Sequence, residues 1–449
     1  MHLVGRKGGM FSIMKPWDIA IIGAGAAGLA AAVFASDGKG HPRVVILDGA
    51  RRPGAKILVS GGGRCNVTNE CVTPKDFEGG PRAIIRKVLR GFDEKRAREW
   101  FASLGVALKA EPGGKLFPES DQARTVLDAL LSTVHGQGVE AHFGRRVSAI
   151  EIVERPAGTA GGGEGGPESV RFRLRIDGDD EALLARRVIL AAGGMALPKS
   201  GSDGAALGWL RGMGHRVIAP VPALAPLLVA EGSGLGARLR DLAGMTLDLR
   251  LDLRSADGRL VASQTGSTLF THFGLSGPAA MNLSRHLARA RNDTRADPPL
   301  RLTLGHPAWS DAAAAERMLL EQTRRSPARR VSALFGDWYP ERLARLLGDD
   351  LGTLGGLTRQ ARREAAVRLA ALPVEVSGDR GFAFAETTAG GVDLREVDTR
   401  TMESRLVEGL HLCGELLDAD GRIGGFNFQW AWATGFLAGR GAARAVAAG

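Results

Sequence analysis

Three observations predict an α/β fold in which a doubly wound nucleotide-binding domain is split by a β-rich and helical insertion. An apolar run ends in Gly23-Ala-Gly-Ala-Ala-Gly and feeds an alanine-rich helix; a second buried strand, Arg187-Val-Ile-Leu-Ala-Ala-Gly-Gly, closes on a glycine pair; and the chain returns to strand, glycine loop and helix between Leu410 and Gly439. Between the last two, the periodicity changes to short alternating runs and then to helical spacing.

Ile19 to Ile22 supply the first buried strand. Gly23 permits the tight turn, Gly25 lets a pyrophosphate approach the backbone, and Gly28 lets the helix pack closely on the strand. The helix start, at Ala26 and Ala27, then points free N–H groups and a positive dipole end at the phosphates. The next strand, Val44-Val-Ile-Leu, ends at Asp48, about twenty residues beyond Gly28, where an acid binds ribose hydroxyls.

Pro53 to Pro81 reads as a long polar loop, and long loops in compact enzymes are usually functional. Asp93 to Leu104 and Asp121 to Val134 follow as amphipathic helices, and Arg145 to Val153 alternates as a strand. The tract Pro156 to Glu168 reads as a flexible hairpin tip ahead of a strand from Val170 to Ile176. Thr246 to Leu253, Leu260 to Ser263 and Leu300 to Leu304 predict an antiparallel, barrel-like insertion; Asp311 to Gln322, Tyr339 to Leu347 and Thr358 to Leu372 predict a small helical subdomain with an arginine-rich face. The expected organisation is an extension over 1–16, a nucleotide domain over 17–205 and 374–449, and an insertion over 206–373. Met14 is an alternative translation start.

At 449 residues the chain exceeds one compact core. No apolar run approaches bilayer length and the first residues lack a secretory core, so a cytoplasmic protein without membrane contact is expected. Cys65, Cys71 and Cys413 form no C-x-x-C pair, which argues against a dithiol redox centre and a structural zinc site, and no metal is expected. The net charge of +10 raises nucleic acid as a partner, but the arginines are scattered, which favours a solvated surface and a small-molecule substrate. Oligomeric state is not legible.

Two further glycine constellations carry chemistry. Ser60-Gly-Gly-Gly-Arg-Cys-Asn-Val-Thr-Asn allows close backbone approach beside polar groups. In Gly414-Glu-Leu-Leu-Asp through Phe426-Asn-Phe-Gln-Trp, a strand ends and a helix begins near Gly425 to Asn427, a suitable stabiliser for negative charge on a reduced flavin. With Phe270-Thr-His-Phe-Gly-Leu-Ser-Gly-Pro and Thr388-Ala-Gly-Gly-Val, these motifs resemble, from Trp17 to Arg440, the BaiN-like and YhiN-like flavoproteins of the aminoacetone oxidase family. The resemblance implies a discontinuous Rossmann-like FAD domain of two-domain-reductase type, carrying an inserted β-barrel and helices. It also implies tightly bound FAD, with Glu415 at the ribityl chain and Gly425 to Phe428 along the pyrimidine edge. Asp48 stands where the family usually has Glu, and Ala55 where Arg is common.

The residues expected to hold FAD are therefore Gly23, Gly25, Ala26, Ala27, Gly28 and Asp48; Lys56, Ser60, Gly62, Gly63, Arg64, Cys65 and Asn66; and Val147, Ala192, Gly193 and Gly194. Gly414, Glu415, Gly425, Phe426, Asn427 and Phe428 complete the set. No second strand-linked G-x-G-x-x-G is present, so NAD(P)H is expected only as a transient donor at the open flavin face. His272 is the candidate proton donor, and Arg64 either binds a substrate carboxylate or carbonyl or partners the pyrophosphate. The reaction expected is NAD(P)H-driven reduction of an activated carbon–carbon double bond. Amine oxidation of aminoacetone type is one alternative, and an RNA-binding or RNA-modifying flavoprotein is another.

Overall fold

The computed structural model describes residues 16–37, 40–153, 170–232, 234–292 and 300–448; residues 1–15 of the expected extension, the start at Met14 and the hairpin tip from Pro156 to Glu168 lie outside them. Glu140–Phe143, Val44–Asp48, Trp17–Ile22 and Leu183–Leu190 stand side by side in that order, all parallel. Leu410–Leu412 adds parallel to the C-terminal end of Leu183–Leu190, while Phe172–Ile176 and then Val147–Ile152 extend the other end antiparallel. The last part of the chain thus completes the sheet that the first part began.

Apolar runs such as Val44-Val-Ile-Leu suit strands covered on both faces. One cover is the pair of helices Ala26–Ser36 and Phe426–Ala447, whose small residues let the backbones meet. A Cβ on Gly435 would lie 2.5 Å from the Ala27 carbonyl oxygen, and one on Gly439 would lie 2.4 Å from that of Ala31.

The insertion has its own core around Leu251, Phe270, Leu319, Phe335 and Leu369. Its sheet runs Leu372–Val374, Arg301–Gly305, Thr246–Arg254, Leu260–Thr271, Gly274–Ser276, Leu227–Val229, Val376–Asp379, each neighbour antiparallel. The two outermost strands are consecutive in the chain, joined through Glu375, whose carbonyl accepts from the Ala230 N–H at 2.8 Å. The sheet therefore curls into a barrel, and helices Ala312–Arg325, Val331–Phe335, Glu341–Gly348 and Arg359–Ala370 pack on it.

Two expectations change. Pro53 to Pro81 is not simply a polar loop: Ala55–Gly63 is helical until Ser60 breaks it, because Ile57 buries completely, and Cys65 to Asn69 are buried under the last helix. The insertion is also displaced from 206–373. Helix Ala205–Gly212 gives Ala206, Leu207 and Leu210 to the nucleotide-domain core, while Val376–Asp379 completes the barrel. Val217–Ala223 pairs antiparallel with Thr387–Val392 to form the two-stranded connection between the domains.

Candidate functional site

A cleft of about 590 Å³ opens where the parallel strands end, at the place an open α/β sheet offers a ligand. Gly23, Gly25, Ala26 and Ala27 line one wall, with Asp48 beside them. Lys56, Ser60, Gly62, Val147, Ala192 and Gly193 continue the lining, and Gly414, Glu415, Asn427 and Phe428 face it from the C-terminal segment. Residues spread over the whole chain thus converge because both parts of the domain share one sheet.

Gly25 and Gly425 precede helices Ala26–Ser36 and Phe426–Ala447, and no side chain caps either start. Their first-turn N–H groups are left to meet an anion, aided by the helix dipole. The Asp48 carboxylate accepts from the N–H groups of Ala24 at 2.6 Å and Ala50 at 2.7 Å, which fixes it at the strand end and leaves lone pairs for hydroxyl donors. Glu415 is held on both oxygens: Lys56 Nζ lies 2.6 Å from Oε2, and Thr388 donates to Oε1 from its N–H at 3.0 Å and its hydroxyl at 2.7 Å.

Several expected residues stand behind the cleft instead of on it. Gly28 is a packing position, since a Cβ there would sit 1.8 Å from the Gly23 carbonyl oxygen. Gly194 packs on Thr388, and Gly63 lies off the lining. The Asn66 amide, in the orientation its neighbours require, donates to Thr68 O and accepts from Gly425 N at 3.0 Å. With Asn69 Nδ2 donating to Gly424 O at 3.0 Å, it clasps the turn before the last helix. Gly425 and Phe426 are consequently buttressed, and Asn427 and Phe428 reach the cleft.

Cys65 is fully buried, and burial pushes its thiol up to about 12, which makes it an unreactive packing residue. Arg64 turns away to Glu111, at 2.6 Å, and lies 4.1 Å over the Phe117 ring. That pairing satisfies the guanidinium without a phosphate or a substrate. His272 is exposed in the turn between two barrel strands, edge-on to Phe273, and does not line the cleft.

The cleft also takes in residues not anticipated: Arg52, Arg146, Leu197 to Asp203, Trp209, Glu386 and Thr387. The polar stretch Lys199-Ser-Gly-Ser-Asp-Gly, just past the Gly193-Gly194 strand end, was the available signal for one group. Glu386 carried no such signal, because its position depends on the domain connection.

The last glycine loop is gripped from the insertion. Helix Pro278–Asn292 accepts Ile423 N–H on Asn282 Oδ1 at 2.8 Å, and Arg285 reaches Asp420 Oδ2 at 2.9 Å and its carbonyl at 2.7 Å. Arg289 reaches Asp420 Oδ1 at 2.6 Å. Burial raises the neighbouring Asp418 carboxyl to about 6 and lowers His286 to about 4. Among the described residues no group of three or more His, Cys, Asp or Glu could hold a metal ion, and no helix is long and apolar enough to cross a membrane.

Comparison with known proteins completes the picture. The family model described as HI0933-like protein Rossmann domain matches residues 17–441. The chain is 35% identical over 433 residues to the 3-dehydro-bile acid delta(4,6)-reductase of Clostridium scindens, covering 95% of this chain and 98% of the relative. It is 29% identical over 429 residues to the ribosomal RNA dihydrouridine synthase of Escherichia coli, covering 94% and 96%. Among solved structures, the 3-ketosteroid-delta4-(5alpha)-dehydrogenase of Rhodococcus jostii superposes with a TM-score of 0.47 at 16% identity, covering 96% and 98%.

Proposed function

The chain belongs to the HI0933-like Rossmann family, and from that premise we propose that it is an FAD-dependent oxidoreductase that reduces a carbon–carbon double bond conjugated to a carbonyl. The observation that carries the reading is one cleft bounded by two uncapped helix starts, with Asp48 between the sheet and the first of them. This donor set fits FAD. Ala26 and Ala27 would meet the pyrophosphate, Asp48 the adenosine ribose, Glu415 the ribityl hydroxyls, and Asn427 and Phe428 the pyrimidine edge of the ring.

When bound, the flavin supplies hydride transfer. The chain supplies position and charge. Glu415 is oriented by Thr388 and Lys56, and the second helix start would stabilise negative charge on a reduced ring. NAD(P)H is the donor we propose, visiting the same cleft, as the chain offers no second dinucleotide turn. The 35% identity to a 3-dehydro-bile acid delta(4,6)-reductase supports an activated double bond as the substrate feature.

A second reading follows from the relative named as a ribosomal RNA dihydrouridine synthase, since a uracil C5=C6 bond is also conjugated to a carbonyl. Against an RNA face, residues 311–370 set eight carboxylates beside eleven arginines. Several are paired, including Arg345 with Glu341 at 2.6 Å and Arg362 with Glu316 at 3.3 Å.

Anaerobic titration of purified holoprotein with NADPH and NADH tests the reading. Rapid flavin bleaching, followed by reoxidation on adding cyclohexenone, is expected. Reoxidation only by a ribosomal RNA transcript moves the substrate to uridine, and bleaching by amines but not by nicotinamides replaces the reductase with an amine oxidase.

A further inference from the structure

Reducing a conjugated double bond requires a hydride on one carbon and a proton on the other, and the proton must come from an acid in reach of the cleft. Among the carboxyl groups lining the cleft, Asp48 is occupied by two backbone N–H groups and Glu415 by Lys56 and Thr388. Asp203 is paired with Arg146. Glu386 differs: among the described residues its carboxyl has no hydrogen-bond or ion-pair partner, and it lines the cleft.

Its backbone is rigidly placed. Ala385 is buried in a cluster with Ala196 and Ala225, Thr387 and Thr388 are buried on the other side, and the Glu386 N–H donates to Leu224 O at 3.3 Å. Glu386 therefore stands at the start of the strand that joins the two domains, two residues before the threonine that orients Glu415. The Glu386 side chain is exposed and faces the cleft. Partial desolvation by the protein around it raises its pKa above the ordinary carboxylate value, opposed in part by Lys115.

We propose that Glu386 is the acid that protonates the substrate carbon during double-bond reduction, an assignment that rests on the reductase reading above. The hydride forms the new C–H bond at the β carbon, and the π pair moves onto the carbonyl as an enolate. The carboxyl proton then forms the C–H bond at the α carbon. Glu386 is left as a carboxylate and regains its proton from water, and NAD(P)H restores the hydride equivalent. His272 lies on the barrel turn outside the cleft lining and has no part in this step.

The test compares wild type with Glu386→Gln and Glu386→Asp as holoproteins. Flavin content and the rate of anaerobic bleaching by NADPH stay unchanged in both variants. Reoxidation of the reduced protein by cyclohexenone, with a ribosomal RNA transcript as second probe, slows by about 10²–10⁴-fold in Glu386→Gln and recovers in part in Glu386→Asp. Independently of turnover, an infrared pH titration of the wild-type holoprotein contains a carboxyl band, titrating above the ordinary carboxylate range, that Glu386→Gln lacks. Wild-type reoxidation by neither probe overturns the reductase reading and with it this role. Equal reoxidation of wild type and Glu386→Gln, or no difference in the carboxyl band, overturns the assignment of Glu386 alone.

Discussion

Lys56 Nζ lies 2.6 Å from Glu415 Oε2, an ion pair that ties the first glycine-rich segment to one 359 positions later, across the cleft. Both side chains are partly exposed, so the pair contributes at most about 1 kcal/mol to folding. Its work is positional. Lys56→Met should leave the melting temperature nearly unchanged and weaken FAD binding about tenfold, or about 1.4 kcal/mol. Flavin retained after gel filtration, set beside the melting curve, checks this; a large loss of stability with normal flavin content contradicts it.

Gly25 and Gly28 separate the two duties of the glycine turn. A Cβ on Gly25 meets nothing within 4 Å, and its backbone is in the extended region, so Gly25→Ala costs at most about 1 kcal/mol while placing a methyl where the pyrophosphate approaches. Gly28→Ala would drive its methyl into the Gly23 carbonyl, 1.8 Å away. The first variant should purify folded and flavin-poor, the second should fail to accumulate as soluble protein. Soluble, yellow Gly28→Ala would refute the packing argument.

Arg285 and Asp420 form a buried pair between the insertion and the flavin domain, 2.9 Å apart. Asp420→Asn leaves Arg285 charged and desolvated and should cost about 3–5 kcal/mol, whereas Arg285→Met leaves Asp420 its second partner Arg289 and should cost less. Urea denaturation measures both. A loss below about 1 kcal/mol in Asp420→Asn would mean that water replaces the missing partner.

Asp418 and His286 give this interface opposing pH responses. Burial raises Asp418 from 3.8 to about 6, so the fold holds a proton that the unfolded chain releases, and that stability is lost as pH rises through about 6. Burial lowers His286 from 6.5 to about 4, so its contribution is present above about pH 6.5 and lost as pH falls through about 4. Each is worth about 3 kcal/mol at 1.4 kcal/mol per pH unit, and between about pH 4 and 6 they largely cancel. Asp418→Asn should make stability rise more steeply with pH in that window, and His286→Gln should make it fall. Parallel urea-denaturation profiles for wild type and both variants would exclude this coupling.

Local pattern alone made much of this protein legible. The turn from Gly23 to Gly28, the acid at Asp48, the returning strand before Gly193 and the helix beginning near Phe426 are short-range signals, since strand, turn and helix are specified by residues a few positions apart. The change to alternating runs also announced the barrel, whose strands include Thr246–Arg254 and Leu260–Thr271.

Only the tertiary structure decided which polar groups face the cleft. Arg64, Asn66 and Cys65 sit beside the glycines in sequence, yet Glu111, Gly425 and the hydrophobic core claim them, because partners far along the chain compete for the same side chains. Glu386 reaches the cleft for the converse reason. The pairing of Val217–Ala223 with Thr387–Val392 brings the insertion's exit strand against the nucleotide domain, and no residue near Glu386 in sequence encodes that contact. Sequence determined the elements and the cofactor turn, whereas long-range packing determined which side chains were left free for chemistry.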